Sequence, residues 1–258
     1  MAAALVGAAL IGLLWADLGG SDRVKTTAAT DDFASLPGSP PPALDIGATE
    51  RLTSGRFVSR WTIVRTAATA RTRPEAGAPP ITLVARETPE GTPNALQVLR
   101  SKADSSGRLW VEVRLPVLPN GRVGWMRRQA LGGYQSANTH LVVDRGQLRA
   151  ILYRNGKAVF AAPVGIGTAS SPTPPGEFMI RNELTRYASP FYGPIAFGTT
   201  ARSAVLTDWP GGGFVGIHGT NEPQLIPGRV SHGCIRLRNA DMLRLAVLMP
   251  VGTPLTIR

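Results

Sequence analysis

The only cysteine of this 258-residue chain, Cys234, lies close in sequence to two of the three histidines. His218 precedes it by 16 positions and His232 precedes it by two. A thiol with an ordinary pKa of about 8.5 is a weak nucleophile at neutral pH, and a neighbouring imidazole generates or stabilises the thiolate. The segment therefore predicts a cysteine nucleophile with a histidine base, and the residues alone leave open which histidine is the base.

Gly233, between His232 and Cys234, allows the backbone to bend tightly. Its N–H and that of Cys234 can then converge on an oxyanion. The same residues have two other interpretations. Cys234 can be a small buried residue of the core, or His218, His232 and Cys234 can hold a zinc ion. Zinc sites of this kind usually include a carboxylate base, and acids are scarce nearby, so we expect no metal and no cofactor.

The elements that must position these residues are short strands. Asp144-Arg145-Gly146 and Asn155-Gly156 are hairpin signals between apolar segments, and residues 173–178 form a rigid turn that enters another strand. Only residues 239–249 have a helical pattern, with Asn239 as the expected N-cap. The apolar face of this helix comprises Met242, Leu245, Ala246 and Met249. This part of the chain is predicted to be mostly antiparallel β with one short helix.

Residues 57–132 also have the pattern of short strands separated by Gly, Pro and Asn turns, and a polar joint at 132–138 follows them. The predicted strands are 61–64, 81–84, 96–99, 109–113 and 123–126. So many short strands in so short a segment imply a small barrel, in which Asn120-Gly121 is a strong hairpin turn. Its tryptophans, Trp61, Trp110 and Trp125, either pack in the core or line a groove, and we expect the core.

Residues 141–258 resemble the catalytic domain of the L,D-transpeptidases, the penicillin-insensitive enzymes that cross-link peptidoglycan. In the family pattern a histidine is followed, after a dozen or more residues, by Ser or Thr, His-Gly-Cys, a hydrophobic residue and Arg or Asn. The spacing between His218 and Cys234 fits this pattern. The residues that carry the resemblance are His218-Gly219-Thr220, Ser231-His232-Gly233-Cys234-Ile235-Arg236 and Asn239, with Asn155-Gly156 and Thr173-Pro174-Pro175-Gly176 upstream.

The resemblance implies a role for each residue of the motif. Cys234 is the nucleophile, His218 is its general base, and the backbone carbonyl of Gly219 orients the imidazole. His232 and Gly233 line the pocket. The N–H groups of Gly233 and Cys234 stabilise the tetrahedral oxyanion.

The expected substrate-binding residues are Ser231, Arg236, Tyr192 and Thr220. The planar guanidinium of Arg236 suits a substrate carboxylate. Tyr192 belongs to a Gly- and Pro-rich loop, residues 187–196, in which Phe191 and Tyr192 are adjacent. Surface loops rarely expose two neighbouring aromatic rings. We therefore expect this loop to cover the Cys234 pocket as a lid, and the alternative is that both rings plug an edge of the sheet. His140, far from the motif, is expected to be structural.

The resemblance also implies a reaction. The thiolate attacks the carbonyl of the third residue of a tetrapeptide stem and releases the terminal D-alanine. An amine of a second stem then resolves the thioester into a 3→3 cross-link, so the partners are donor and acceptor peptidoglycan stems. The alternatives are an L,D-carboxypeptidase, in which water resolves the thioester, and a non-enzymatic cell-wall-binding protein. Membership would further imply sensitivity to carbapenems and a part in cell-wall biogenesis and cell shape.

A second resemblance covers about another third of the chain. Residues 70–74, 110–113 and 120–125 are similar to a bacterial Src-homology-3-like barrel. The expected fold is therefore mainly β, a small Src-homology-3-like barrel followed by an L,D-transpeptidase-type β-sandwich with one short helix. The expected segments are a signal peptide or membrane anchor at 1–20, a Pro/Ala/Thr-rich linker at 21–55, the barrel at 56–135 and the catalytic domain at 139–258.

The formal net charge of +11 is carried almost wholly by arginine, and the scarcity of Lys and Glu argues against a helical bundle. Such a charge suits an anionic wall polymer or a membrane surface. The arginines are scattered, so we expect no specific nucleic-acid binding. Residues 2–15 are apolar or small without interruption, which is typical of a signal-peptide hydrophobic region, the alternative being a buried N-terminal helix. We expect export to the cell wall or a periplasm-like space, as a secreted or membrane-tethered protein.

Overall fold

The computed structural model describes residues 49–52, 58–185, 189–206 and 213–258. The predicted signal peptide or anchor at 1–20, and nearly all of the predicted linker at 21–55, lie outside these residues. Within the described ranges, no helix is long and apolar enough to cross a membrane. The strands form an N-terminal sheet (residues 50–137) and a C-terminal sheet (residues 139–257), which belong to one compact unit.

The N-terminal sheet is antiparallel throughout. Its strands are β1 (Glu50–Arg51), β2 (Ser59–Ile63), β3 (Ala68–Arg71), β4 (Pro80–Val84), β5 (Ala95–Ala103), β6 (Leu109–Arg114), β7 (Val123–Arg127) and β8 (Gln135–Ala137). They pair in the order β4-β3-β7-β6-β5-β2-β8, with β1 added to β5. The five predicted strands are confirmed. The prediction of a polar joint at 132–138 is wrong in part, because residues 135–137 form β8. This strand pairs with β2 through backbone groups, which form hydrogen bonds whatever the polarity of the side chains.

The core of the N-terminal sheet includes two of its tryptophans. Trp110 is 1% exposed and Trp125 is 8% exposed, which confirms them as core residues. The third, Trp61, lies against the C-terminal sheet. Gly252 there has a φ of +87°, and a Cβ at that position would collide with the Trp61 indole. Glycine is required at 252 both by the backbone conformation and by this close approach.

The C-terminal sheet mixes parallel and antiparallel pairs. Its strands are β9 (Thr139–Asp144), β10 (Arg149–Arg154), β11 (Lys157–Pro163), β12 (Gly165–Gly167), β13 (Gly176–Leu184), β14 (Ala196–Arg202), β15 (Phe214–His218), β16 (Gly228–Ser231), β17 (Ile235–Arg236) and β18 (Pro254–Ile257). They pair in the order β11-β10-β9-β18-β13-β14-β15-β17-β12-β16. Both predicted hairpins are confirmed, β9–β10 and β10–β11. At the second turn Asn155 and Gly156 have φ of 50° and 80°, as a two-residue hairpin turn requires.

The single α-helix of the described residues, α1 (Asn239–Leu248), ends one residue before the predicted end. Met242 and Leu245 are buried on the predicted apolar face. The predicted N-cap is wrong. Arg238 occupies that position, and the side chain of Asn239 instead accepts a hydrogen bond from the Thr220 N–H at 2.8 Å. The Asn239 side chain therefore bonds to a residue distant in sequence, and not to a backbone N–H of the first helical turn as an N-cap side chain does.

The topology brings the two halves of the sequence motif together. β15 and β17 are parallel neighbours in which Ile217 pairs with Ile235 and His218 pairs with Arg236. Cys234 immediately precedes β17. The parallel pairing of β17 with the last residues of β15 therefore places Cys234 close to His218, which ends β15. Phe197, Ile217, Ile235, Leu237 and Met242 belong to the hydrophobic core of this part of the chain and are fully buried.

Candidate active site

Cys234 lies in the turn between β16 and β17, and its thiol is half-buried in a cleft. The Gly216 N–H donates a hydrogen bond to its Sγ, at 3.4 Å. A Cβ built on Gly216 would lie 3.8 Å from both the Cys234 Sγ and the His218 Cδ2, so thiol and imidazole flank the same glycine. The cleft is open to solvent and has a cavity volume of about 20 Å³. It is lined by Phe191, Tyr192, Ser203, Leu206, Gly213, Phe214, Val215, His218, Ser231, His232, Gly233, Cys234 and Arg236.

His218 is the last residue of β15 and is only 2% exposed. Its Nδ1 lies 2.6 Å from the carbonyl oxygen of Gly219. A carbonyl can only accept, so Nδ1 carries the proton and Nε2 carries the lone pair. This is the contact that we predicted between Gly219 and His218, and it leaves Nε2 as the atom that can take a proton from a thiol.

Both members of the Cys–His pair are neutral at rest. Burial lowers the pKa of His218 to about 4, and the nearby Arg236 charge lowers it further, while the hydrogen bond that His218 donates to the Gly219 carbonyl acts in the opposite direction. Burial raises the pKa of the Cys234 thiol, although the Gly216 N–H and Arg236 favour the thiolate. At pH 7 the site therefore holds a thiol and an uncharged imidazole rather than an ion pair.

The Ser-His-Gly-Cys turn is held by two hydroxyl groups. The Ser231 hydroxyl donates to the Cys234 carbonyl and accepts the Gly233 N–H at 3.1 Å. The Thr173 hydroxyl donates to the Gly233 carbonyl at 2.8 Å and accepts the Gly167 N–H at 2.9 Å. We predicted that the Gly233 N–H serves an oxyanion and that Ser231 binds substrate. In this structure both groups are engaged inside the turn.

The aromatic pair of the predicted lid lies over the histidine. Tyr192 contacts the His218 ring edge-to-face, with 4.8 Å between centroids, and Phe191 contacts Tyr192 in the same way at 5.3 Å. Both rings line the cleft, and Phe191 remains 38% exposed. A pair of rings that plugged the sheet edge would be buried on both sides. The arrangement favours the covering role over the plug, and Tyr187 itself lies outside the described residues.

Arg236 lines the cleft with a guanidinium that is only partly satisfied. Its Nη1 lies 3.4 Å from the Glu222 carboxylate, and its Cζ is 5.0 Å from the centre of the Phe191 ring. Its Nε is buried and has no hydrogen-bond partner within the protein. A guanidinium that lines the cleft is a candidate for binding a carboxylate of a ligand.

The chain has clear relatives among known proteins. Residues 138–257 match the YkuD family, the L,D-transpeptidase catalytic domain. Over 145 residues the chain is 36% identical to the "Putative L,D-transpeptidase YkuD" of Bacillus licheniformis, a match that covers 55% of the chain and 81% of that protein. The chain belongs to the YkuD family of L,D-transpeptidase catalytic domains.

Other members are more distant or are covered less fully. The Bacillus subtilis protein of the same name is 35% identical over 118 residues, which cover 46% of this chain and 65% of that one, just under two thirds of its length. A solved catalytic domain of an L,D-transpeptidase from E. faecium is 25% identical, with 46% of this chain and 96% of that chain covered and a TM-score of 0.35.

The positions of Thr220 and His232 of the motif, and of His140 outside it, were not settled by the sequence. Thr220, predicted to bind substrate, is 3% exposed and lies outside the cleft lining, where its hydroxyl accepts the Glu222 N–H at 3.0 Å. Its hydroxyl stabilises the turn after His218, and its part in substrate binding stays a prediction. His232 is exposed and lines the cleft. His140 is far away, with Nε2 2.8 Å from the Thr256 hydroxyl. Within residues 49–52, 58–185, 189–206 and 213–258, no three His, Cys, Asp or Glu side chains are grouped as a metal site.

Two positioning residues were not recognised from the sequence. Thr173 fixes the Gly233 carbonyl, as described above. Asn239 lies between the lid loop and the turn after His218, and a Cβ added to either Gly193 or Gly219 would collide with its Oδ1. The only sequence signal for either residue was its place in the family resemblance. Neither role can be read from the local pattern, because each depends on a partner far along the chain.

Proposed function

We propose that this chain is a cysteine-dependent peptidoglycan L,D-transpeptidase. The observation that supports it most directly is the His218 imidazole, held by the Gly219 carbonyl with Nε2 unprotonated, in the same cleft as the only thiol of the chain. A positioned base beside a nucleophile is what acyl transfer requires. The L,D-transpeptidase names of the relatives agree with this chemistry.

In the first half-reaction the thiol proton passes to Nε2 of His218 as Sγ of Cys234 attacks the carbonyl carbon of the third residue of a tetrapeptide stem. The tetrahedral oxyanion is stabilised by the Cys234 N–H. The C–N bond to the terminal D-alanine then breaks, and the departing nitrogen takes the proton from His218. The products are a thioester on Cys234 and free D-alanine.

In the second half-reaction an amine on the side chain of a second stem attacks the thioester. Its proton passes to His218, the C–S bond breaks, and the thiolate takes the proton back. The result is a 3→3 cross-link and a regenerated enzyme. No redox change occurs, and positioning with oxyanion stabilisation accounts for the rate.

The remaining cleft residues suit a peptide with a free carboxylate. The guanidinium of Arg236, which lines the cleft, binds that carboxylate, and His232 forms part of the wall. Phe191 and Tyr192 close over the thioester. Closure excludes water and so favours the amine over hydrolysis.

The rest of the chain fits an exported enzyme. We propose that residues 1–20 direct export or anchor the protein, and that it acts in the cell wall or a periplasm-like space. The N-terminal sheet would be a Src-homology-3-like module, and the net charge of +11 would hold the protein near anionic wall polymers. Cell-wall biogenesis and cell shape are the processes that this activity would serve.

The test is mass analysis of the products from a purified disaccharide-tetrapeptide. A cross-linked dimer with loss of D-alanine supports transfer. Loss of D-alanine without a dimer would assign an L,D-carboxypeptidase, and no reaction would favour a wall-binding protein. Cys234→Ala and Cys234→Ser are the matched inactive variants. A carbapenem should also form a covalent adduct on the peptide that carries Cys234, and an unchanged intact mass would contradict the site.

A further inference from the structure

Two turns of the N-terminal sheet reach β13 and β14, and β14 pairs with β15, the strand that carries Phe214 and His218 of the cleft. Glu90, between β4 and β5, places its carboxylate oxygens 2.8 and 3.0 Å from Nη2 of Arg181 on β13. Asn120, in the hairpin between β6 and β7, donates to the Arg202 carbonyl at 2.8 Å and accepts the Arg202 N–H at 3.0 Å. Each contact joins residues more than 80 positions apart, one from each sheet.

The two arginines held in this way flank one wall residue of the cleft. Cζ of Arg181 lies 3.8 Å from the centre of the Phe214 ring, and Cζ of Arg202 lies 4.5 Å from it. Phe214 begins β15, four residues before His218, and it lines the cleft together with Cys234. Guanidinium groups over an aromatic face attract it electrostatically. The position of this ring therefore depends on where the two arginines are held.

The position of the Arg181 side chain depends on Glu90. It is 1% exposed, its Nε has no hydrogen-bond partner, and Glu90 is its ion-pair partner. A buried guanidinium that loses its carboxylate is left uncompensated and must move or be hydrated. The turn that carries Glu90 is itself fixed by the pair of hydroxyls of Thr88 and Thr92, 2.8 Å apart.

We propose that Glu90 and Asn120 are positioning residues of the active site. They hold Arg181 and Arg202 against Phe214, so the N-terminal sheet fixes one wall of the cleft in which Cys234 reacts. This gives the sheet a role in shaping the substrate site that is separate from any binding to the wall.

The only cysteine of the chain provides a direct readout that does not require the proposed reaction. Alkylation of Cys234 is timed with small iodoacetamide and with bulky N-phenylmaleimide in the intact chain. In Glu90→Gln and Asn120→Ala a loosened Phe214 widens the cleft, so the ratio of the bulky to the small reagent rate rises about 3- to 30-fold, the range for residues that act through others. Glu75→Gln is the matched control, because Glu75 belongs to an exposed ion pair of the same sheet.

The conservative variant and thermal unfolding separate positioning from general destabilisation. Glu90→Asp keeps the charge. When both variants have lost melting temperature equally, the ratio of bulky to small reagent rates should be closer to the wild-type ratio in Glu90→Asp than in Glu90→Gln. If Glu90→Gln does not fold, Asn120→Ala alone tests the proposal, because it removes a contact on a different turn. Ratios in both variants that match the Glu75→Gln ratio would overturn the proposal.

A kinetic arm rests on the proposed function. With the disaccharide-tetrapeptide donor, both variants should raise KM with a smaller change in kcat, because Phe214 is a wall and not a reacting group. If the wild type does not react with the donor while the alkylation ratios shift as expected, the proposed function fails and the positioning role stands. If the donor reacts normally in all variants and the ratios are unchanged, the positioning role fails and the function stands.

Discussion

Nδ1 of His218 lies 2.6 Å from the carbonyl oxygen of Gly219, the next residue in the chain. In serine and cysteine triads this place often belongs to a carboxylate, whose charge stabilises the imidazolium. A neutral carbonyl orients the ring but provides less of that stabilisation. Together with burial this explains why the pKa of His218 falls to about 4 and why the resting pair carries no charge.

The first prediction concerns the two histidines near the thiol. His218→Ala should lower the acylation rate by about 10²–10⁴-fold, the usual range for a general base. The wild-type rate should fall on the acid side near pH 4, where the pKa of His218 lies, and this limb should vanish in the variant. His232→Ala should lower the acylation rate less and should retain the fall in rate on the acid side. The opposite pattern would exchange the two roles and leave the reaction class unchanged.

The second prediction concerns stability against pH. The folded pKa of His218 is about 4 and the unfolded value is about 6.5, so between these values the unfolded chain binds more protons. The free energy of unfolding should therefore decrease as pH falls from 6.5 toward 4, by about 3 kcal/mol from this group at most. Urea unfolding at pH 7 and pH 4.5 measures this loss. His218→Gln should show a smaller loss over the same interval, and an equal loss would contradict the lowered pKa.

The third prediction concerns the aromatic lid. Replacing Phe191 and Tyr192 together with Ala should raise the ratio of hydrolysed to cross-linked product, because water reaches the thioester. The free energy of unfolding should decrease by no more than about 1 kcal/mol, as is usual for a surface substitution. Leu225→Ala is a control of matched exposure, since Leu225 is 38% exposed and outside the cleft lining. A collapse of stability with an unchanged product ratio would identify the rings as core.

The fourth prediction concerns the hydroxyl beneath the active-site turn. Thr173→Val keeps the shape of a fully buried side chain but leaves the Gly233 carbonyl and the Gly167 N–H without their partner. The loss should be about 1–3 kcal/mol of unfolding free energy, with slower acylation of Cys234. Thr173→Ser retains the hydroxyl and should recover most of both. Equal rates in the Val and Ser variants would show that the hydroxyl does not position the turn.

The sequence by itself determined the local elements and the reacting set. Hairpin turns such as Asn155-Gly156, the alternation within strands and the helix at 239–248 follow from short-range sterics and periodicity, which a single sequence displays. The Cys–His motif is equally local, apart from the spacing between β15 and β17. The local elements were predicted because their residues lie within a few positions of their partners, whereas His218 and Cys234 are 16 positions apart and their pairing was also supported by the family resemblance.

Only the tertiary structure decided the partners of those residues. The Asn239 side chain bonds to Thr220 and does not cap its own helix, and Ser231 bonds to the Gly233 N–H inside the turn. Glu90 and Asn120 bond to Arg181 and Arg202 of the other sheet. The tertiary structure also made the Cys–His pair neutral, because desolvation depends on every chain segment that packs over a group. Hydrogen bonds and burial join positions far apart in the chain, and no local pattern records which of them will meet.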